Sequence, residues 1–129
     1  VFIGHALCVG DFVASRGAVM LGGQIVEVLP AGSALDVALH PYTNALIAAA
    51  PMLGGGPPPV AEREIGAVEA AAGPPPAVGC PYWQRCPVRD DPRCATSYPP
   101  LVDLGGGRAV ASFCSPEAMR SATATGKRQ

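Results

Sequence analysis

The chain opens on Val1-Phe2-Ile3, an apolar triplet that reads as the end of a buried strand. Residues 6–14 follow with helical spacing, so that Leu7, Val9 or Gly10, and Val13 share a face. Ser15-Arg16-Gly17 breaks that pattern. Two short apolar runs, 18–21 and 24–29, then flank Gly22-Gly23. Both turn positions can take positive φ, so the pattern predicts a β-hairpin. Pro30-Ala31-Gly32 ends the hairpin, and Ser33 is placed to cap a short helix over 34–39. Pro41 suits the first turn of another helix running to about residue 50, where Pro51 closes it. The fold class expected for residues 1–51 is α/β.

Beyond that point the periodicity is lost. Thirteen of the 29 residues from 51 to 79 are Gly or Pro, a density that holds neither a helix nor a central strand. Residues 52–79 read as a proline-stiffened linker, with one possible strand over 63–69. Residues 80–117 carry turns, little periodicity and four cysteines, and residues 118–129 read as a frayed tail.

Charge and composition narrow the function classes. The 129 residues have a net charge of −1, one lysine (Lys127) and eight scattered arginines, which argues against a nucleic-acid partner. Much of the apolar content is alanine, so any core is thin. No secretory signal is present, and the longest apolar run falls far short of the roughly 20 residues that span a bilayer. A soluble, cytosolic chain is expected, and the absent initiator methionine suggests a fragment. Cys8 stands alone. Cys80, Cys86, Cys94 and Cys114 follow the spacing C-x5-C-x7-C-x19-C. In a cytosolic chain, clustered cysteines point to metal rather than to disulfides. Four thiolates suit a tetrahedral zinc or an iron–sulfur cluster, and free thiols buried as small hydrophobes remain the third reading. The spacing lacks the tight knuckles of structural zinc, and Cys-Pro occurs at Cys80-Pro81 and Cys86-Pro87, as it does in ferredoxin-type runs.

Three stretches carry a resemblance. Phe2-Ile3-Gly4-His5-Ala6-Leu7 sets a histidine just past an apolar strand, where side chains point into a ligand crevice. Ala14-Ser15-Arg16-Gly17-Ala18-Val19-Met20 follows, and then Gly23-Gln24-Ile25-Val26-Glu27, Pro30 and Gly32. Leu39-His40-Pro41-Tyr42-Thr43-Asn44-Ala45-Leu46 is the second stretch, and Gly79-Cys80-Pro81-Tyr82-Trp83-Gln84-Arg85-Cys86-Pro87 the third. In this order they resemble the C-terminal part of the ATP-binding subunit of oligopeptide/dipeptide ABC importers. Gly4, Ala6 and Ser15 depart from the family pattern, which has Ser or Thr, Asp and Asp there. Cys114 stands two residues past the family's last cysteine, a shift that an extended segment absorbs on one side.

The resemblance implies the truncated end of an ABC-type nucleotide-binding domain over 1–51, then a linker and an irregular, cysteine-containing extension over 80–117. It implies that His5 is the switch-loop histidine, which contacts the γ-phosphate of ATP and orients the attacking water. It implies a 4Fe–4S cluster, with zinc as the alternative, on Cys80, Cys86, Cys94 and Cys114. His40 and Tyr42 read as structural: Pro41 presets the helix, His40 or its neighbours cap free amides, and Tyr42 buries its ring. The parent subunit would use ATP and magnesium, and would pair with a second ATP-binding subunit and membrane permeases. It would sit at the cytoplasmic face of the inner membrane. These residues contain no G-x-x-x-x-G-K-[ST], so the chain by itself is expected to be inactive on ATP. A free-standing metal-binding or interaction module, or a gene remnant, is the alternative.

Overall fold

The computed structural model describes residues 15–30, 38–49 and 78–126. The expected strand at 1–3, helix at 6–14 and strand at 63–69 lie outside those residues, as do His5 and Cys8, and of the helix expected over 34–39 only Ala38 and Leu39 are described, neither of them helical.

β1 (Arg16–Leu21) and β2 (Gln24–Pro30) form the expected antiparallel hairpin. Its turn is Gly22 and Gly23, at φ 57° and 77°, the conformation that glycine adopts without steric cost. The register shifts after Val19, which pairs with Glu27, while Met20 pairs with Ile25. Such a bulge re-aims the side chains beside it. Here the consecutive residues Val26 and Glu27 are both buried. α1 (Pro41–Ala49) begins at the expected proline.

Two parts of the C-terminal region differ from the sequence expectation. Residues 101–111 are not irregular: β3 (Leu101–Gly105) and β4 (Arg108–Ala111) form a second hairpin. All five residues of β3 are exposed, so no burial alternates along it for a pattern to reveal. Residues 118–126, expected to belong to a frayed tail, instead continue α3 (Pro116–Gly126). The Ser115 hydroxyl accepts the Ala118 amide at 3.2 Å, Pro116 stands at the first helical position, and Glu117 adds a negative charge to the first turn. Between Cys80 and the second hairpin lie a 3-10 turn (Trp83–Arg85) and the short α2 (Arg93–Thr96).

The four strands make one sheet in the order β1-β2-β4-β3, antiparallel at every pairing. β4 joins β2 through Glu27↔Val110 and Val28↔Ala109. Strands from both sides of the Gly/Pro-rich stretch therefore share a sheet, and the architecture is a small sheet with helices. The core follows the same pattern. Val19, Val26 and Leu29 from the first hairpin and Tyr42 from α1 pack with Cys80, Tyr82 and Cys94. A second cluster joins Leu39, Val110 and Met119. Each fully buried Val, Leu or Met contributes about 1.5–3 kcal/mol. The Tyr98 hydroxyl donates to the Ile25 carbonyl at 3.3 Å, a further tie between the two regions.

Candidate metal centre

The cysteines are brought together by backbone geometry. The Cys80 amide donates to the Cys94 carbonyl at 2.8 Å. Only glycine permits that approach next door: Gly79 has φ 90°, and a Cβ there would stand 2.6 Å from the Ala95 carbonyl oxygen and 2.7 Å from that of Cys94. The Trp83 amide donates to the Cys80 carbonyl at 3.0 Å and the Cys86 amide to the Trp83 carbonyl at 3.3 Å, so the 3-10 turn folds Cys86 back toward Cys80. Cys94 lies on α2, where the Asp91 carboxylate accepts the Arg93 amide at 2.9 Å. Cys114 follows β4, its amide donating to the Ser112 hydroxyl at 3.0 Å.

Cys80, Cys86, Cys94 and Cys114 all line one small open cavity, together with His40, Arg89 and apolar side chains that include Val88 and Met119. All four thiols are free. Burial pushes the Cys94 thiol up to about 11 and raises Cys80 as well, so both carry their protons at neutral pH. Among the described residues, no three His, Cys, Asp or Glu side chains are grouped to hold a single ion. A tetrahedral zinc with 2.3 Å sulfur bonds would need sulfurs about 3.8 Å apart. Four thiols lining one cavity are the donor type that thiolate-binding metals use.

Arginines stacked on aromatic rings lie nearby. Arg89 lies over Trp83 at 5.8 Å from the ring centroid, Arg85 over Tyr82 at 5.4 Å, and Arg93 over Phe113 at 4.5 Å. Arg89 is itself part of the cavity wall.

His40 and Glu27 support the opposite side. Glu27, 2% exposed, accepts the Leu39 amide at 2.7 Å and the His40 amide at 3.2 Å. Those amides stand at the start of α1 and have no partner within the helix, so the carboxylate caps it from β2. Desolvation pushes the Glu27 carboxyl above its ordinary value, opposed by Thr43, the two amides and Arg108. The Thr43 hydroxyl stands beside this carboxylate without reaching hydrogen-bond geometry. His40 caps as well: its Nδ1 accepts the Tyr42 amide at 3.1 Å. Burial lowers His40 to about 4, leaving the ring neutral. The Tyr82 ring lies 6.1 Å from that of His40 and 5.5 Å from that of Tyr42. The structural roles expected for His40 and Tyr42 are thus present, and His40 additionally faces the cysteine cavity. The carboxylate cap on Glu27 had no local sequence signal, because it acts across a distance of twelve and thirteen residues.

Residues 26–94, just over half of the chain, match the family described as the C-terminal region of oligopeptide/dipeptide transporters. A peptide ABC transporter ATP-binding protein of Sinorhizobium fredii is 44% identical over 115 residues, covering 86% of this chain and 31% of that protein. The di/tripeptide transport ATP-binding protein DppF of Pseudomonas aeruginosa is 37% identical over 101 residues, 78% of this chain and 30% of the relative. An oligopeptide transport ATP-binding protein of Bacillus subtilis is 34% identical over 116 residues, 85% of this chain and 33% of the relative. The chain spans about a third of the length of these relatives.

Proposed function

Because the chain belongs to the family of oligopeptide/dipeptide transporter C-terminal regions, we propose that it is the C-terminal part of an ATP-binding subunit that couples ATP hydrolysis to peptide import. The observation that carries this reading is the matched stretch 26–94, which takes in Glu27, His40-Pro41-Tyr42-Thr43, Cys80, Cys86 and Cys94. The partners are then a second ATP-binding subunit and the membrane permeases, at the cytoplasmic face of the membrane. Among the described residues no helix is long and apolar enough to cross a membrane, which agrees with a peripheral position. ATP and magnesium belong to the parent subunit. No phosphate loop occurs in these 129 residues.

His5 is the one residue here assigned to that chemistry. An imidazole beside the γ-phosphate supplies positioning and polar stabilisation of the developing charge. In a full-length subunit carrying this region, His5→Ala is expected to cut ATPase turnover severely while nucleotide binding stays close to wild type. Near-normal turnover would overturn the assignment.

The extension is read as a metal-stapled module. Cys80, Cys86, Cys94 and Cys114 would hold one 4Fe–4S cluster, with zinc as the alternative. The two Cys-Pro steps and the lack of tight zinc-type knuckles in the spacing favour the cluster. A metal supplies folding energy to a segment with little apolar material of its own. Anaerobically reconstituted chain should be brown and hold iron. Cys80→Ser, Cys86→Ser and Cys94→Ser should each lose the iron, Cys114→Ser should lose it if the two-residue offset is absorbed, and Cys8→Ser should keep it. Absence of both iron and zinc from the wild-type chain, with all four thiols alkylated in the native state, would overturn the metal reading.

A further inference from the structure

Arg89 differs from the rest of the wall of the cysteine cavity. Among the described residues lining that cavity it carries the one permanent charge, and it is the one that is exposed. It therefore stands at the mouth, with buried Cys80, Cys94, Val88 and Met119 behind it. Its side chain folds back onto the protein. Nε donates to the Trp83 carbonyl at 3.2 Å, and the guanidinium lies over the Trp83 ring at 5.8 Å from the centroid. Trp83 lines the cavity too, so this double contact ties one part of the wall to another. The backbone of Arg89 has φ 37°, the one positive value outside glycine among the described residues. That conformation is costly for any side chain, and it persists where surrounding contacts hold it.

We propose that Arg89 and Trp83 form a clasp that narrows the mouth of the cavity, so that a small electrophile reaches Cys80 and Cys94 when Arg89 swings off the Trp83 ring. The inference concerns the thiols as free groups and needs no bound metal. One cation–π contact and one hydrogen bond at the surface bias the clasp toward its closed arrangement by about tenfold. Buried groups react through such local opening, at a rate that follows the population of the open form.

The test uses the whole chain, reduced, freed of metal with a chelator and treated with iodoacetamide, each cysteine being followed by mass spectrometry. The thiolate sulfur displaces iodide from the reagent's carbon, and the thiol proton passes to solvent. The reagent is uncharged, so the arginine neither attracts nor repels it. In Arg89→Ala, Cys80 and Cys94 should be alkylated about tenfold faster than in wild type. Charge alone predicts the opposite sign, since removing a cation from beside a thiol raises its pKa and slows its reaction. Arg89→Gly separates opening from unfolding, because glycine suits φ 37° and loses the clasp at no cost to the backbone. It should match the alanine rates with a melting temperature no lower than that of wild type. Wild-type or slower rates in the two variants would overturn the inference. So would faster rates that come only with a lowered melting temperature in Arg89→Gly.

Discussion

Glu27 is the residue on which the two halves of the described molecule depend. Its backbone pairs with Val110 across the sheet, and its carboxylate holds the first amides of α1. Removing it in Glu27→Ala leaves those buried amides unsatisfied, at about 1–3 kcal/mol for each group. The pH dependence has a definite sign. Desolvation raises the folded-state value above the ordinary 4.5, so the folded chain binds the proton more tightly than the unfolded chain does. Glu27 therefore stabilises most fully below 4.5, and its contribution is lost as the pH rises through the folded value. Glu27→Gln does not titrate. The stability of wild type minus that of Glu27→Gln, from urea midpoints, should fall as pH rises from below 4.5. The subtraction cancels His40, whose lowered value works in the opposite sense. A difference that is flat or that rises would show that burial does not govern this carboxyl.

The elements divide by whether their cause is local. The first hairpin and α1 were legible because Gly22-Gly23 and Pro41 act on their own backbone. α3 has a local cause as well: Ser115-Pro116-Glu117 is a cap, a first-turn proline and a first-turn acid in succession. Ser115→Ala should destabilise the chain by about 1 kcal/mol, read as a lower urea midpoint, because the Ala118 amide loses its acceptor. An unchanged midpoint would mean that α3 is held by the packing of Met119 alone. β3 had no such signal. It is an edge strand exposed along its length, and its pairing partner β4 is what makes it a strand.

On the scale of the whole molecule, the sheet and core are shared. β2 is an interior strand only because β4 lies beside it, and its core contacts include Cys80, Tyr82 and Cys94. Residues 1–51 expressed alone would expose the β2 edge and the apolar face beneath it. They are expected to aggregate or to lack a cooperative melt. Co-expression with residues 78–126 is expected to restore one. A dispersed NMR spectrum and a sharp melt from 1–51 alone would contradict this.

The family order of motifs, the hairpin glycines, the α1 proline and the four cysteine positions were in the sequence, because each is a local string or a local backbone constraint. The sequence could group the cysteines by composition but could not bring Cys114 to Cys80. That meeting needs Gly79 to let Cys80 reach the Cys94 backbone, and β4 to carry the chain past β2 to Ser112. Nor could it show that His40 both caps α1 and faces the thiols, because that double role depends on where Glu27 and Tyr82 hold the ring. Long-range pairing and burial decide these contacts, and neither is encoded at a fixed sequence spacing.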